Sequence, residues 1–151
     1  MTKKLIARIS EGLGNQLFMY ANSYSMAKSL GYELFIDNFS AYKKLKIRSY
    51  LLGNFKISAK IAEKKYMVDT IDKYLKYKIL KKIDFLKKNK RFLVEQKYKN
   101  KETYFINNLN KNFSHELFVE GHYESEKYFS KYKVDLIKEF KIKNINQNKL
   151  F

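Results

Sequence analysis

Two glycines one residue apart, followed at once by two carboxamides, are the residues of this chain best suited to chemistry: Gly12-Leu13-Gly14-Asn15-Gln16. Glycine lets a ligand approach the main chain closely. If a helix begins here, its free backbone N–H groups and the positive end of its dipole favour a phosphate or a similarly polar group. A purely structural role is open as well, with Asn15 capping the helix and the glycines making the turn.

The flanking elements decide where such a turn would stand. Residues 4–9, with Leu5, Ile6, Ala7 and Ile9, read as a short strand. From 16 to 30 the apolar Leu17, Tyr20, Ala21, Tyr24, Ala27 and Leu30 recur at steps of three and four, the period of an amphipathic helix, and Gly31 supplies its stop. Residues 32–37 read as a second strand. Two strands joined by one such helix make a right-handed βαβ unit with parallel strands. The glycine turn is then at the carboxyl end of the first strand, where open α/β sheets bind ligands. Asp37 ends the second strand, where it could reach a sugar hydroxyl or, more simply, close a turn.

The signal loosens beyond Asp37. Residues 38–52, with Tyr42, Arg48 and Tyr50, read as a loop closed by Gly53-Asn54. Over 61–86, Val68, Ile71, Leu75, Ile79, Ile83 and Leu86 mark one long amphipathic helix, or two in series, with the apolar face turned to the core. Its other face carries Lys73, Lys76, Lys78, Lys81, Lys82, Lys87 and Lys88, either simply solvated or lying on anionic lipid. Strands are expected at 91–95 and 117–121, with a polar loop at 100–114 around Tyr104-Phe105-Ile106. A helix starts after Ser125 as N-cap and resumes at 134–140, and 142–151 is a polar tail. The fold class is α/β, a Rossmann-like parallel sheet with flanking helices.

The net charge of +17 invites a polyanion partner, but Arg8, Arg48 and Arg91 are the only arginines. The guanidinium fork that clamps phosphate and reads guanine is scarce, so nucleic acid is disfavoured. The charge is mainly lysine on solvated faces. Cysteine is absent, which removes disulfides and thiolate metal sites. There is no long apolar signal core at the start and no window of eighteen apolar residues, so a cytoplasmic location is expected, with peripheral contact at the inner membrane as an option.

The glycine motif continued through Leu17-Phe18 and Tyr20-Ala21, then Gly31-Tyr32-Glu33-Leu34-Phe35-Ile36-Asp37 and Arg48-Ser49-Tyr50-Leu51-Leu52-Gly53-Asn54-Phe55, resembles the N-terminal region of bacterial α-1,2-fucosyltransferases, glycosyltransferase family 11. Gly121-His122-Tyr123-Glu124-Ser125-Glu126-Lys127-Tyr128-Phe129, with Lys138-Glu139-Phe140, resembles the segment that precedes the donor-binding signature of that family. The resemblance implies a GT-B-type architecture with the active site between two Rossmann-like halves. It also implies inverting transfer of L-fucose from GDP-fucose to the 2-hydroxyl of a galactose-containing glycan in surface polysaccharide biosynthesis. No cofactor and no obligatory metal are implied. Gly12, Gly14, Asn15 and Gln16 are then donor-side residues, where backbone N–H groups and a neutral amide stabilise the departing β-phosphate.

Three positions depart from the family pattern: Glu11 where a second glycine is usual, Met19 where glutamine is, and His122 where an aromatic residue is. The family signature His-x-Arg-x-Gly-Asp occurs nowhere in the 151 residues. The expectation is therefore an N-terminal Rossmann-like domain over 1–141, a polar tail at a truncation point over 142–151, an absent C-terminal donor-binding domain, and inactivity alone. The competing expectation is a basic membrane-surface or nucleic-acid interaction module without catalysis.

Other chemistry is thin. His115 and His122 are too far apart in sequence for a helical metal pair, and no Ser-His-Asp arrangement stands out. Glu120, Glu124 and Glu126 are available as general bases, with nothing to select one of them.

Overall fold

The computed structural model describes residues 2–43, 47–95 and 112–143. Strand β1 (Lys4–Arg8), helix α1 (Leu13–Leu30) and strand β2 (Glu33–Asp37) form the expected parallel βαβ unit, paired from Lys4 with Glu33 to Arg8 with Asp37. The remaining regular elements are β3 (Lys60–Ile61), α2 (Ile71–Ile83), β4 (Lys90–Val94), β5 (Phe113–Glu120) and α3 (Lys133–Glu139). They complete a 5-stranded sheet in the order β3-β2-β1-β5-β4. Every pairing in it is parallel, as in a Rossmann-like α/β fold.

The strand period of two sorts the core into two layers. Leu5, Ala7 and Ile9, with Leu34, Ile36, Leu117 and Val119, turn to one face and meet Tyr20, Ala21, Tyr24 and Ala27 of α1 and Leu136 of α3. Ile6, Phe35 and Phe118 turn to the other, against Ala62, Tyr66 and Phe92. Central strands covered on both sides explain the near-continuous apolar runs of β1 and β2. Helix α1 is capped at its end by Gly31 in the left-handed conformation (φ 70°), as expected. It starts at Leu13 instead of Gln16, because Gly12 takes the extended N-cap conformation.

Helix α2 departs from expectation. None of its residues is buried, and Ile71, Leu75, Ile79 and Ile83 are exposed. The side turned to the sheet carries Tyr77, whose ring meets Phe92 at 5.2 Å, and Lys81. The reason is the surface beneath. At the carboxyl end this face of the sheet presents Arg8, Asp37 and Glu120, which take a phenol and an ammonium, not a leucine. The apolar stripe thus faces away from the core. Short 3₁₀ turns at Lys64–Tyr66 and Asp84–Leu86 replace the ends of the long helix expected over 61–86.

Three smaller differences are local. Ser125 caps a 3₁₀ turn at Glu126–Tyr128, accepting from Lys127 N at 3.4 Å, and the α-helix begins only at Lys133. Strand β5 begins at Phe113, inside the loop expected over 100–114. The Tyr104-Phe105-Ile106 patch lies outside the described residues, as does the tail beyond 143. The first tail residues are tied down: Ile142 bridges Phe55, Lys56 N donates to Lys141 O at 2.8 Å, and Lys143 N donates to Asn54 O at 2.8 Å.

Burial of aromatic hydroxyls makes the fold alkali-sensitive. Burial pushes Tyr42 and Tyr50 up to about 12, with the Glu11 charge adding to Tyr42, and raises Tyr20 and Tyr123 further still. A folded value above the unfolded one near 10 contributes stability that is full below pH 10 and lost as pH climbs through about 12. In an alkaline titration followed by phenolate absorbance and circular dichroism, these four of the 13 tyrosines are expected to lag and to ionise together with loss of secondary structure. A single wave near 10 with the fold intact would contradict this.

Candidate functional site

The glycine turn follows β1, the strand from which the chain goes to β2 on one side and later returns as β5 on the other. That makes the carboxyl end of β1 the topological switch point of the sheet. The first helical bond of α1 runs from Gln16 N to Gly12 O at 3.0 Å, so the N–H groups of Leu13, Gly14 and Asn15 lie outside the helical ladder, and no described side chain caps them. Gly14 faces open space, with no atom within 4 Å of where a Cβ would stand. Asn15 is within the first turn, not at the cap, and its half-buried side chain makes no hydrogen bond to a described residue.

Two further residues shape this helix end. A Cβ on Gly12 would stand 2.5 Å from Nη1 of Arg48, so the absence of a side chain at 12 is what admits the guanidinium. Arg48 is exposed and forms no ion pair with a described residue. Gln16 is fully buried and its carboxamide is turned inward: Nε2 donates to Glu11 O at 2.9 Å and Ser49 O at 2.8 Å, while Oε1 accepts from Leu51 N at 2.8 Å. It stitches the turn to the segment that carries Arg48. Glu11, where the family resemblance expects glycine, adopts φ 63°, a left-handed conformation that costs a non-glycine residue about 1 kcal/mol.

The last residues of the three central strands form a charged cluster on the α2 side. Arg8 lies between two carboxylates, with Nε 3.1 Å from Asp37 Oδ2 and Nη1 2.7 Å from Glu120 Oε1, and its guanidinium lies 4.2 Å over the Tyr77 ring. The Tyr77 hydroxyl also donates to Glu120 Oε1, and the Lys81 ammonium pairs with Oε2. Burial raises the Glu120 carboxyl above its ordinary value although the Arg8 charge pulls it down. Burial, and then the Arg8 charge, lowers Lys81. Asp37 closes a turn as well, accepting from Phe39 N at 3.2 Å and Ser40 N at 2.9 Å.

The loop after β5 sits beside this cluster. Glu95, just beyond β4, accepts from His122 N at 2.8 Å and Tyr123 N at 3.0 Å. Tyr123, like Glu11, has positive φ (53°), so both left-handed non-glycine residues among those described lie in the two loops that meet at the switch point. Between these loops and α2 opens a cavity of about 550 Å³, lined among others by Arg8, Ser10, Met19, Lys82, Glu120 and His122. Gly12, Gly14, Asn15 and Gln16 do not line it. The structure therefore brings Gly12, Gly14 and Asn15 together with Arg48 around one helix end, assigns Gln16 to the interior, and sets a second polar site alongside, past Ser10 and Met19.

Glu124 and Glu126 do not line that cavity: Glu124 lies 3.7 Å from Nδ1 of the half-buried His122, and Glu126 pairs with the exposed Lys133 Nζ at 2.9 Å. Among the described residues no three His, Asp or Glu side chains are arranged to hold a metal ion, and no helix is long and apolar enough to cross a membrane. No protein-family model matches the chain, and no curated protein and no solved structure matches it.

Sequence reasoning missed Arg8, Arg48, Tyr77, Lys81 and Glu95 as parts of these sites. The scarcity of arginine was the available signal. Two of the three arginines, Arg8 and Arg48, stand at the carboxyl edge, and at position 8 lysine would not have matched paired carboxylates or lain flat on a ring.

Proposed function

We propose that the chain forms the N-terminal wall of a GT-B-type inverting galactoside α-1,2-fucosyltransferase, with GDP-fucose as donor and a galactose-containing glycan as acceptor. The observation that carries the reading is the helix end itself: N–H groups outside the helical ladder, an open Gly14, and an Asn15 amide and an Arg48 guanidinium that have no partner among the described residues, all at the switch point of a parallel sheet. In such a transfer, negative charge grows on the β-phosphate as the glycosidic bond breaks. Fixed N–H dipoles would meet that charge without reorganising, and the Asn15 amide and the Arg48 guanidinium would turn to it as the ligand binds. Gln16 acts here as a positioning residue, holding the Arg48 segment against the turn. The guanosine pocket and the His-x-Arg-x-Gly-Asp element would be supplied by a second half.

The test is complementation. The 151-residue chain alone is expected to bind GDP-fucose weakly, and a C-terminal half from a related α-1,2-fucosyltransferase is expected to restore fucose transfer to a galactoside. Gly14→Ala then separates ligand approach from folding. A methyl there meets no protein atom and favours the helix by about 0.5 kcal/mol, so stability holds or rises while restored transfer falls by about tenfold. If no such half restores transfer although its parent enzyme works in the same assay, the proposal fails. Restored transfer unaffected by Gly14→Ala would remove the donor from this helix end.

A further inference from the structure

The outward side of α2 carries an apolar ridge that no described residue covers. Ile71, Leu75 and Ile79 follow one another at four-residue steps and are 77%, 53% and 61% exposed, and Leu86 at the end of the following turn is 73% exposed. The opposite side of the helix is fixed on the sheet by Tyr77 and Lys81, so the ridge cannot be turned inward without breaking the Glu120 cluster. Lys76, Lys78 and Lys82, all exposed, flank the ridge, and Lys87 and Lys88 follow Leu86. Asp72 is the one carboxylate of the helix.

We propose that this ridge is a docking surface for an anionic lipid bilayer, on which α2 lies parallel to the membrane plane. Charge complementarity selects that occupant. Isoleucine and leucine side chains can enter the boundary between headgroups and acyl chains, while lysines along both flanks extend their ammonium groups to lipid phosphates. A second copy of the chain is a poor fit. Two-fold pairing of the ridge would bring the flanking lysines of both copies together, with little acid to offset them. The ridge also faces away from the sheet, so a partner closing over the carboxyl ends of the strands would leave it free. Docking there would hold that edge beside the membrane, with Lys78 and Lys82 shared between the flank of the ridge and the rim of the cavity.

Because the chain carries +17 overall, attraction to anionic vesicles by itself decides nothing, and the test turns on the apolar side chains. The chain has no tryptophan, so Leu75→Trp places a single reporter on the ridge and Val134→Trp, on the exposed side of α3, serves as control. With the full 151-residue chain and vesicles of phosphatidylglycerol and phosphatidylcholine in equal parts, L75W emission is expected to shift to the blue and to be quenched by brominated acyl chains, while V134W is unchanged. Leu75→Ser with Ile79→Ser keeps the charge and is expected to weaken vesicle binding by about tenfold. Binding that survives this double change, or a reporter at 75 that stays solvated on bound vesicles, overturns the proposal. A concentration-dependent dimer of the free chain abolished by the same double change would overturn it in favour of a second copy. None of these readouts requires transferase activity, so the lipid surface and the proposed function fail independently.

Discussion

Replacing Arg8 with methionine is expected to lower the stability of the fold by about 3–5 kcal/mol at neutral pH, most of it from the carboxylates left behind. Methionine keeps the apolar stem but leaves Asp37, whose side chain is 1% exposed, without its ion-pair partner. Glu120 keeps Lys81 and Tyr77, yet loses the strongest charge holding it ionised in a buried setting. The sign of the pH dependence follows. The Glu120 carboxyl is already raised by burial, and removing Arg8 raises it further, so the folded value exceeds the unfolded one. Stability from such a group is fully present below the unfolded value and lost as pH rises through the folded value. The deficit of Arg8→Met relative to the parent should therefore shrink between pH 7 and about pH 5. Adding Glu120→Gln to Arg8→Met should recover part of the loss at neutral pH. Urea unfolding at both pH values measures all three chains. A deficit below about 1 kcal/mol that does not change with pH would mean that water screens the cluster and that it does not anchor the carboxyl edge.

What could be read from the sequence was what local period and turn chemistry encode. The βαβ unit, the Gly31 stop and the turn at the carboxyl end of β1 are each specified by residues close together along the chain, and the structure has all of them. The failures are at places where distant residues decide. The period of α2 identifies a helix, but period says nothing about which side meets the sheet. That was settled by Arg8, Asp37 and Glu120, which come from three strands spread over most of the chain. Strand β3 has two residues and exists only because β2 offers it an edge. Gln16 looks like one more amide in a ligand-facing motif until Ser49 and Leu51 are seen to take its hydrogen bonds. Glu95 has no local signature, since its partners are backbone N–H groups at 122 and 123.

That last contact makes Gly121 the position least tolerant of a side chain, and Gly121→Ala is expected to cost about 3–5 kcal/mol or to prevent folding. Two effects add there. The residue has φ 148°, where an L side chain is strained, and a Cβ would stand 2.3 Å from Glu95 Cβ and 2.9 Å from its Oε2. Neither neighbour can withdraw freely, because the Glu95 carboxylate is held by the N–H groups of His122 and Tyr123, the residues that follow the glycine. Gly31→Ala is the control for backbone preference alone. It too has positive φ (70°), but its Cβ would meet nothing within 4 Å, so its cost should be about 1 kcal/mol. Glu95→Ala should not rescue Gly121→Ala, since the nearest colliding atom is a Cβ that alanine keeps. If Gly121→Ala cost no more than Gly31→Ala in urea unfolding, the close approach of the two loops would be wrong. The cavity wall that His122 forms at the switch point would then lose the two hydrogen bonds by which the Glu95 carboxylate holds its backbone.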